Sequence, residues 1–143
     1  MHAERIFGPR WALMKEQLHV GIPIGLIESD WGATRIEAWM SREAARNVRH
    51  DILATDAEHD PQNRTGALYN AMIRPLTPYT LRGFVWYQGE SNVGRYMDYA
   101  ARLADMVSLW RGLWGRDDLP FYYVEFAPFE DGNCLLYTSD AAD

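Results

Sequence analysis

One ten-residue stretch constrains the chain more than any other: Gly83-Phe84-Val85-Trp86-Tyr87-Gln88-Gly89-Glu90-Ser91-Asn92. Its first half is short, apolar, β-branched and aromatic, which predicts a strand buried on both faces. Its second half turns abruptly to polar side chains on either side of Gly89. In an open parallel sheet, ligands sit just beyond the carboxyl ends of the strands. A buried strand that ends in Gln88, Glu90, Ser91 and Asn92 therefore presents amide, carboxylate and hydroxyl groups where such a site lies.

The flanking segments supply the rest of a parallel α/β pattern, strand and helix alternating with short connections. Phe7, Trp11, Met14 and Leu18 fall on one helical face, so a helix is expected from about Pro9, a residue tolerated only in a first turn. Pro23-Ile24-Gly25-Leu26-Ile27 predicts a buried strand, and Trp31-Gly32-Ala33 the turn after it. Thr34-Arg35-Ile36-Glu37 has the T-x-x-E form of a capping box, placing a helix start and an anion-attracting cluster of backbone N–H groups at Thr34. Ser41 and Glu43 offer a second cap for a helix to about Val48. The polar segment from His50 to Thr65 is expected to run over the surface with a short helix in it. Ala67 to Leu76 predicts a helix ended by Pro75 and Pro78. The clearest helix follows the central stretch: Tyr99, Leu103, Met106, Val107, Trp110, Leu113 and Trp114 form its apolar stripe. Asp98, Arg102, Asp105 and Arg111 mostly lie away from that stripe, and Gly115 is the expected C-cap. Phe121 to Phe126 predicts a further strand, ended by Pro128.

Composition narrows the function classes. At 143 residues the chain is at most one domain, large enough for a real core. A net charge of -6, with no basic patch, argues against a nucleic-acid partner. The apolar runs are too short to span a membrane. His2, Glu4 and Arg5 stand where the apolar core of a leader would begin. The single cysteine, Cys134, permits no internal disulfide. Residues 134–143 resemble a sequencing adapter translated in frame, so the domain is expected to span residues 1–133 and the tail to be excluded.

Three blocks in order carry a resemblance. Trp86 to Asn92, Pro23 to Trp39, and Leu68 to Leu76 resemble the sialate O-acetylesterase family, a branch of the SGNH-type esterases, over most of the chain from about Phe7 to Pro128. The resemblance implies a three-layer flavodoxin-like, SGNH hydrolase-like parallel sheet, incomplete here. It implies a serine acyl-enzyme that removes acetyl groups from sialic acid or related sugars, with no cofactor and no metal. Relatives of this kind are often exported. The family's Gly-Gln-Ser-Asn nucleophile motif and Asp-x-x-His base motif are not among these residues, so the 143 residues alone are not expected to turn over an ester.

What the resemblance leaves in this chain is an oxyanion hole: backbone N–H groups at Gly32 and Ala33, and the side-chain amide of Gln88. Ala33 stands where the pattern has glycine, and its N–H is expected to serve only if its φ is negative. The bland reading of Gln88 is a buried amide satisfying loop carbonyls. Glu90 is expected to orient the nucleophile loop, with Gly89, Ser91 and Asn92 in support. Ser91 fails the G-x-S-x-G pattern, because Val93 stands at the last glycine, and so reads as a loop hydrogen-bonding residue. Trp31, Trp39, Trp86 and Tyr87 suit either a sugar pocket or the core. The four histidines lie outside every block. His50, Asp56, His59 and Asp60 match no metal-ligand spacing, and Asn63-Arg64-Thr65 is a formal glycosylation triplet. Two other functions fit the same residues: an esterase for acetylxylan or another polysaccharide, and a non-catalytic carbohydrate-binding module.

Overall fold

The computed structural model describes residues 25–46 and 60–125. The expected helix from Pro9, the start of the strand at Pro23, the histidines and the 134–143 tail lie outside that range. The chain divides into two units at Trp31 and Gly32. Of the first, the described residues 25–31 hold no strand or helix, and Leu26, Ile27 and Trp31 are exposed. The expected strand thus fails over Gly25–Ile27. A strand exists only through its ladder, and among the described residues Gly25–Ile27 pair with no other strand.

The second unit is built around two parallel strands, β1 (Phe84–Trp86) and β2 (Phe121–Tyr123), with Phe84 opposite Phe121 and Trp86 opposite Tyr123. The ladder is extended at both ends, Phe84 N donating to Pro120 O and Val124 N to Trp86 O, both at 2.9 Å. Gly83 permits this approach: a Cβ there would lie 2.9 Å from the Pro120 carbonyl oxygen. Between the strands runs α2 (Tyr99–Leu113), the crossover helix that parallel strands require. It ends as a Schellman motif. Arg116 N donates to Arg111 O and Gly115 N to Gly112 O, with Gly115 at φ +60°.

Before β1 come short helical pieces: a 3-10 helix at Ile36–Trp39, α1 (Arg42–Arg46), a 3-10 turn at Pro61–Asn63, and a helical run whose turns are of π type at Tyr69–Ile73 and 3-10 type at Arg74–Leu76. Ser41 caps α1, its Oγ accepting from Ala44 N at 3.1 Å. The core joins these pieces to the sheet through Ile36, Trp39, Met40, Leu68, Ile73, Trp86, Met106 and Trp110. Trp39 and Trp86 are therefore core rather than pocket lining.

Two expectations are corrected here. The central strand is buried on one face only: Trp86 is covered, whereas Val85 is 63% exposed and its register partner Tyr122 65%. Trp86 and Phe84 pack against Trp110 of α2, and among the described residues nothing covers the opposite face. The second correction concerns Arg102, which is 2% exposed. It shares one row of α2 with Met106 and Trp110, four residues apart at each step, and so points inward with them.

Candidate active site

β1 delivers the chain to Gln88 and Gly89, and a 3-10 helix from Glu90 to Asp98, broken at Arg95, carries it on to α2. This turn brings together residues from three stretches. The Gln88 Nε2 donates to Thr34 O at 2.9 Å and to Asn92 Oδ1 at 2.8 Å. The Asn92 Oδ1 also accepts from Ile36 N at 3.0 Å, and its Nδ2 donates to Glu37 Oε2 at 3.1 Å. The other Glu37 oxygen accepts from Arg102, whose second terminal nitrogen lies 3.5 Å from Asp98 Oδ2. At the far end, Tyr99 OH is 2.9 Å from Gln88 Oε1 and 2.7 Å from Gln88 O, and it accepts from the Trp86 indole at 3.2 Å. A continuous polar chain thus runs from Arg102 through Glu37 and Asn92 to Gln88 and Tyr99.

Most of this chain is dry. Thr34, Glu37, Asn92 and Arg102 are each at most 4% exposed. Buried polar groups survive only when paired, and buried charge only when paired and hydrogen-bonded. Both Glu37 oxygens have donors and both ends of the Asn92 amide have partners. Arg102 Nε is the exception among the described residues, buried without a hydrogen-bond partner.

The expected capping box does not form in the predicted way. The helix begins at Ile36, with Arg35 at its N-cap and no capping bond from that side chain. Thr34 Oγ1 accepts instead from the Trp39 indole at 3.0 Å, and Glu37 looks toward Asn92 and Arg102. Only four residues long, this 3-10 helix supplies no helix-dipole anion site. The preceding turn is braced by Asn63, whose Nδ2 donates to Ala33 O at 3.2 Å and whose Oδ1 accepts from Arg35 N at 2.8 Å. The glycosylation triplet's asparagine is thus engaged in holding that turn.

Ala33 has φ +58°, the one left-handed non-glycine among the described residues, contrary to the negative φ expected. The position asks for glycine. A left-handed alanine costs about 1–2 kcal/mol, while glycine costs roughly 0.4–1 kcal/mol through a looser unfolded chain. Ala33 is exposed, so little packing is lost on truncation. Ala33→Gly is therefore expected to stabilise the fold by about 0.5–1 kcal/mol. A higher denaturant midpoint with an unchanged slope is the expected reading; a lower midpoint refutes it.

Of the residues singled out from sequence, Gln88, Gly89 and Asn92 meet at the strand end beside the Gly32–Ala33 turn. Glu90 is exposed, Ser91 half-buried, and Gly32 exposed. Glu37, Arg102, Thr34 and Tyr99 join the same cluster and are not among the residues the sequence singles out for the site. The inward direction of Arg102 follows from its four-residue spacing to Met106 and Trp110, but its partner Glu37 does not. An open groove of about 560 Å³ lies elsewhere, lined by Leu103, Val107, Arg111, Phe121 and Tyr123 among others, and it includes none of the expected site residues. Among the described residues no three His, Cys, Asp or Glu side chains converge.

Parallel strands joined by a crossover helix define an α/β domain, and its polar cluster lies at the carboxyl end of the first strand, where such folds bind ligands. The family model for "Carbohydrate esterase, sialic acid-specific acetylesterase" matches residues 2–141, and the chain belongs to that family. It is 40% identical over 98 residues to the sialate O-acetylesterase of Pongo abelii, covering 62% of this chain and 18% of that protein. It is 32% identical over 143 residues to the Mus musculus sialate O-acetylesterase, covering 75% of this chain and 26% of that protein. The chain therefore spans about a fifth to a quarter of the length of these relatives. A crystal structure described as a novel carbohydrate acetylesterase from Xanthomonas citri superposes with a TM-score of 0.70 at 34% identity, over 87% of this chain and 27% of that one.

Proposed function

We propose that these residues form the oxyanion side of a carbohydrate O-acetylesterase that removes acetyl groups from sialic acid or a related sugar. The observation that carries the reading is the Gln88 amide, held just past the end of β1 beside the Gly32–Ala33 turn by hydrogen bonds at both its nitrogen and its oxygen. Family membership supports the ester chemistry. In such an enzyme a serine attacks the acetyl carbonyl, the carbonyl oxygen becomes an anion, and the sugar hydroxyl leaves. Water then releases acetate from the acyl-serine.

Gln88 carries two Nε2 hydrogens, and both have neutral acceptors, Thr34 O and Asn92 Oδ1. To stabilise an oxyanion, Gln88 shares or surrenders one of them. That exchange favours the transition state, because a hydrogen bond to an anion is roughly twice as strong as one to a neutral oxygen. The backbone N–H of Gly32 completes the hole in this reading, and that of Ala33 joins it only from the left-handed conformation the residue is held in.

A second reading rests on the Xanthomonas citri neighbour, which is described by acetylated carbohydrate in general rather than by sialate. Under it the substrate is another acetylated sugar or polysaccharide such as acetylxylan. Both readings share one test in the full-length gene product. Gln88→Ala is expected to lower kcat about 100- to 1,000-fold on acetylated substrate with KM little changed, the usual cost of one oxyanion donor. Acetylated sialic acid and acetylxylan, assayed side by side, separate the substrates. A wild-type kcat in Gln88→Ala removes the oxyanion role.

A further inference from the structure

The polar chain behind Gln88 has a direction, and the direction is imposed by a charge. A carboxylate only accepts hydrogen bonds. Glu37 therefore faces donors on both sides, Arg102 at one oxygen and Asn92 Nδ2 at the other. With the Nδ2 end of Asn92 turned to Glu37, its Oδ1 end faces Ile36 N and Gln88 Nε2. The Gln88 amide then turns its NH2 end toward Asn92 and Thr34, and its oxygen toward Tyr99 OH. An amide is nearly symmetric in shape, so packing alone does not choose between its two ends; the acceptor and donor pattern around it does.

We propose that Glu37, anchored by Arg102, is a positioning residue for the Gln88 amide and acts through Asn92. The proposal rests on the reading of Gln88 as an oxyanion donor for its catalytic consequence, but not for its structural content. Glu37 and Asn92 are 3% and 1% exposed, so water cannot repair a mismatch between them. A neutral amide at position 37 has one oxygen to offer two donors. If that oxygen meets Arg102, its NH2 group meets the Asn92 NH2 group, and Asn92 has to withdraw or turn over. A turned Asn92 then presents NH2 to Ile36 N–H and to Gln88 Nε2.

The same logic supplies a compensating change. In Glu37→Gln combined with Asn92→Asp, the amide at 37 accepts from Arg102 and donates to the carboxylate at 92. That carboxylate accepts from Ile36 N and Gln88 Nε2. Every donor again meets an acceptor, with the negative charge moved one side chain toward Gln88. Asn92→Asp alone sets two carboxylates against each other.

The test compares both single variants, the double variant and Gln88→Ala in the full-length gene product. It uses kcat and KM on an acetylated sugar together with the glutamine side-chain amide resonances in a 15N-glutamine-labelled sample. The Gln88 pair is identified by its absence in Gln88→Ala. We expect each single variant to shift that pair and to lower kcat by roughly tenfold or more, as misplaced catalytic donors do. In the double variant both readouts return toward wild type. Wild-type resonances and kcat in Glu37→Gln overturn the proposal. So does a loss that the double variant does not recover, which marks a plain loss of support from the ion pair. A wild-type kcat in Gln88→Ala overturns the oxyanion reading instead, and the resonances then decide the positioning alone.

Discussion

Replacing Arg102 with leucine is expected to lower the free energy of unfolding by about 3–5 kcal/mol, a large part of what holds a domain of this size together. The cost does not come from the salt bridge as a bond. Glu37 is 3% exposed, and its carboxylate has only Arg102 as a cationic partner among the contacts described. Removing the guanidinium leaves a buried charge with one neutral hydrogen bond, from Asn92. A control separates the terms. Replacing Glu37 and Arg102 together by apolar residues of similar size removes the orphaned charge and is expected to recover much of the loss. What remains is the Asn92 Nδ2, left without its acceptor at about 1–3 kcal/mol. Urea midpoints on the wild type, Arg102→Leu and the double variant decide the matter. If the double variant is no more stable than Arg102→Leu, the penalty lies in packing around α2 and not in unpaired charge.

Arg102 also shows where the sequence was legible and where it was not. The amphipathic stripe of α2 was readable because seven large apolar residues repeat at helical spacing. Arg102 is expected on the solvent side because that is where arginine usually belongs. Its burial depends on Glu37, 65 residues away, and no local pattern announces a partner at that distance. Glu37 was misread for the related reason that T-x-x-E is shared by capping boxes and by unrelated long-range contacts. Here the indole of Trp39 takes the Thr34 hydroxyl, and Asn92 and Arg102 take the carboxylate. By contrast the polar strand end was visible directly, since an apolar run switching to Gln-Gly-Glu-Ser-Asn needs no distant partner to be noticed. The parallel pairing of β1 with β2 was equally open to view, because a helix of fifteen residues between two short strands leaves room for a crossover. The left-handed Ala33 was not, since alanine carries no mark of the φ it is held in.

Trp110→Ala is expected to cost about 3–5 kcal/mol by a different route, the opening of a cavity where α2 packs on the sheet. Trp110 is 4% exposed and touches both strands. Its ring lies 5.2 Å from Phe84, 5.6 Å from Trp86 and 6.1 Å from Phe121, centre to centre, with the edge-on and tilted geometries that aromatic pairs favour. Its indole N–H donates to the Trp39 carbonyl at 3.0 Å, tying α2 to the segment that carries Glu37. Two variants divide these contributions. Trp110→Phe keeps most of the aromatic contact and strands the Trp39 carbonyl, which predicts a loss of about 1–3 kcal/mol. Trp110→Ala loses both. Because Trp86 ends β1 two residues before Gln88, a cavity beneath it loosens the platform from which Gln88 projects. The amide resonances of Gln88 should therefore broaden or shift in Trp110→Ala and stay near wild type in Trp110→Phe. Equal stability losses in the two variants assign the energy to the single hydrogen bond and refute the packing account.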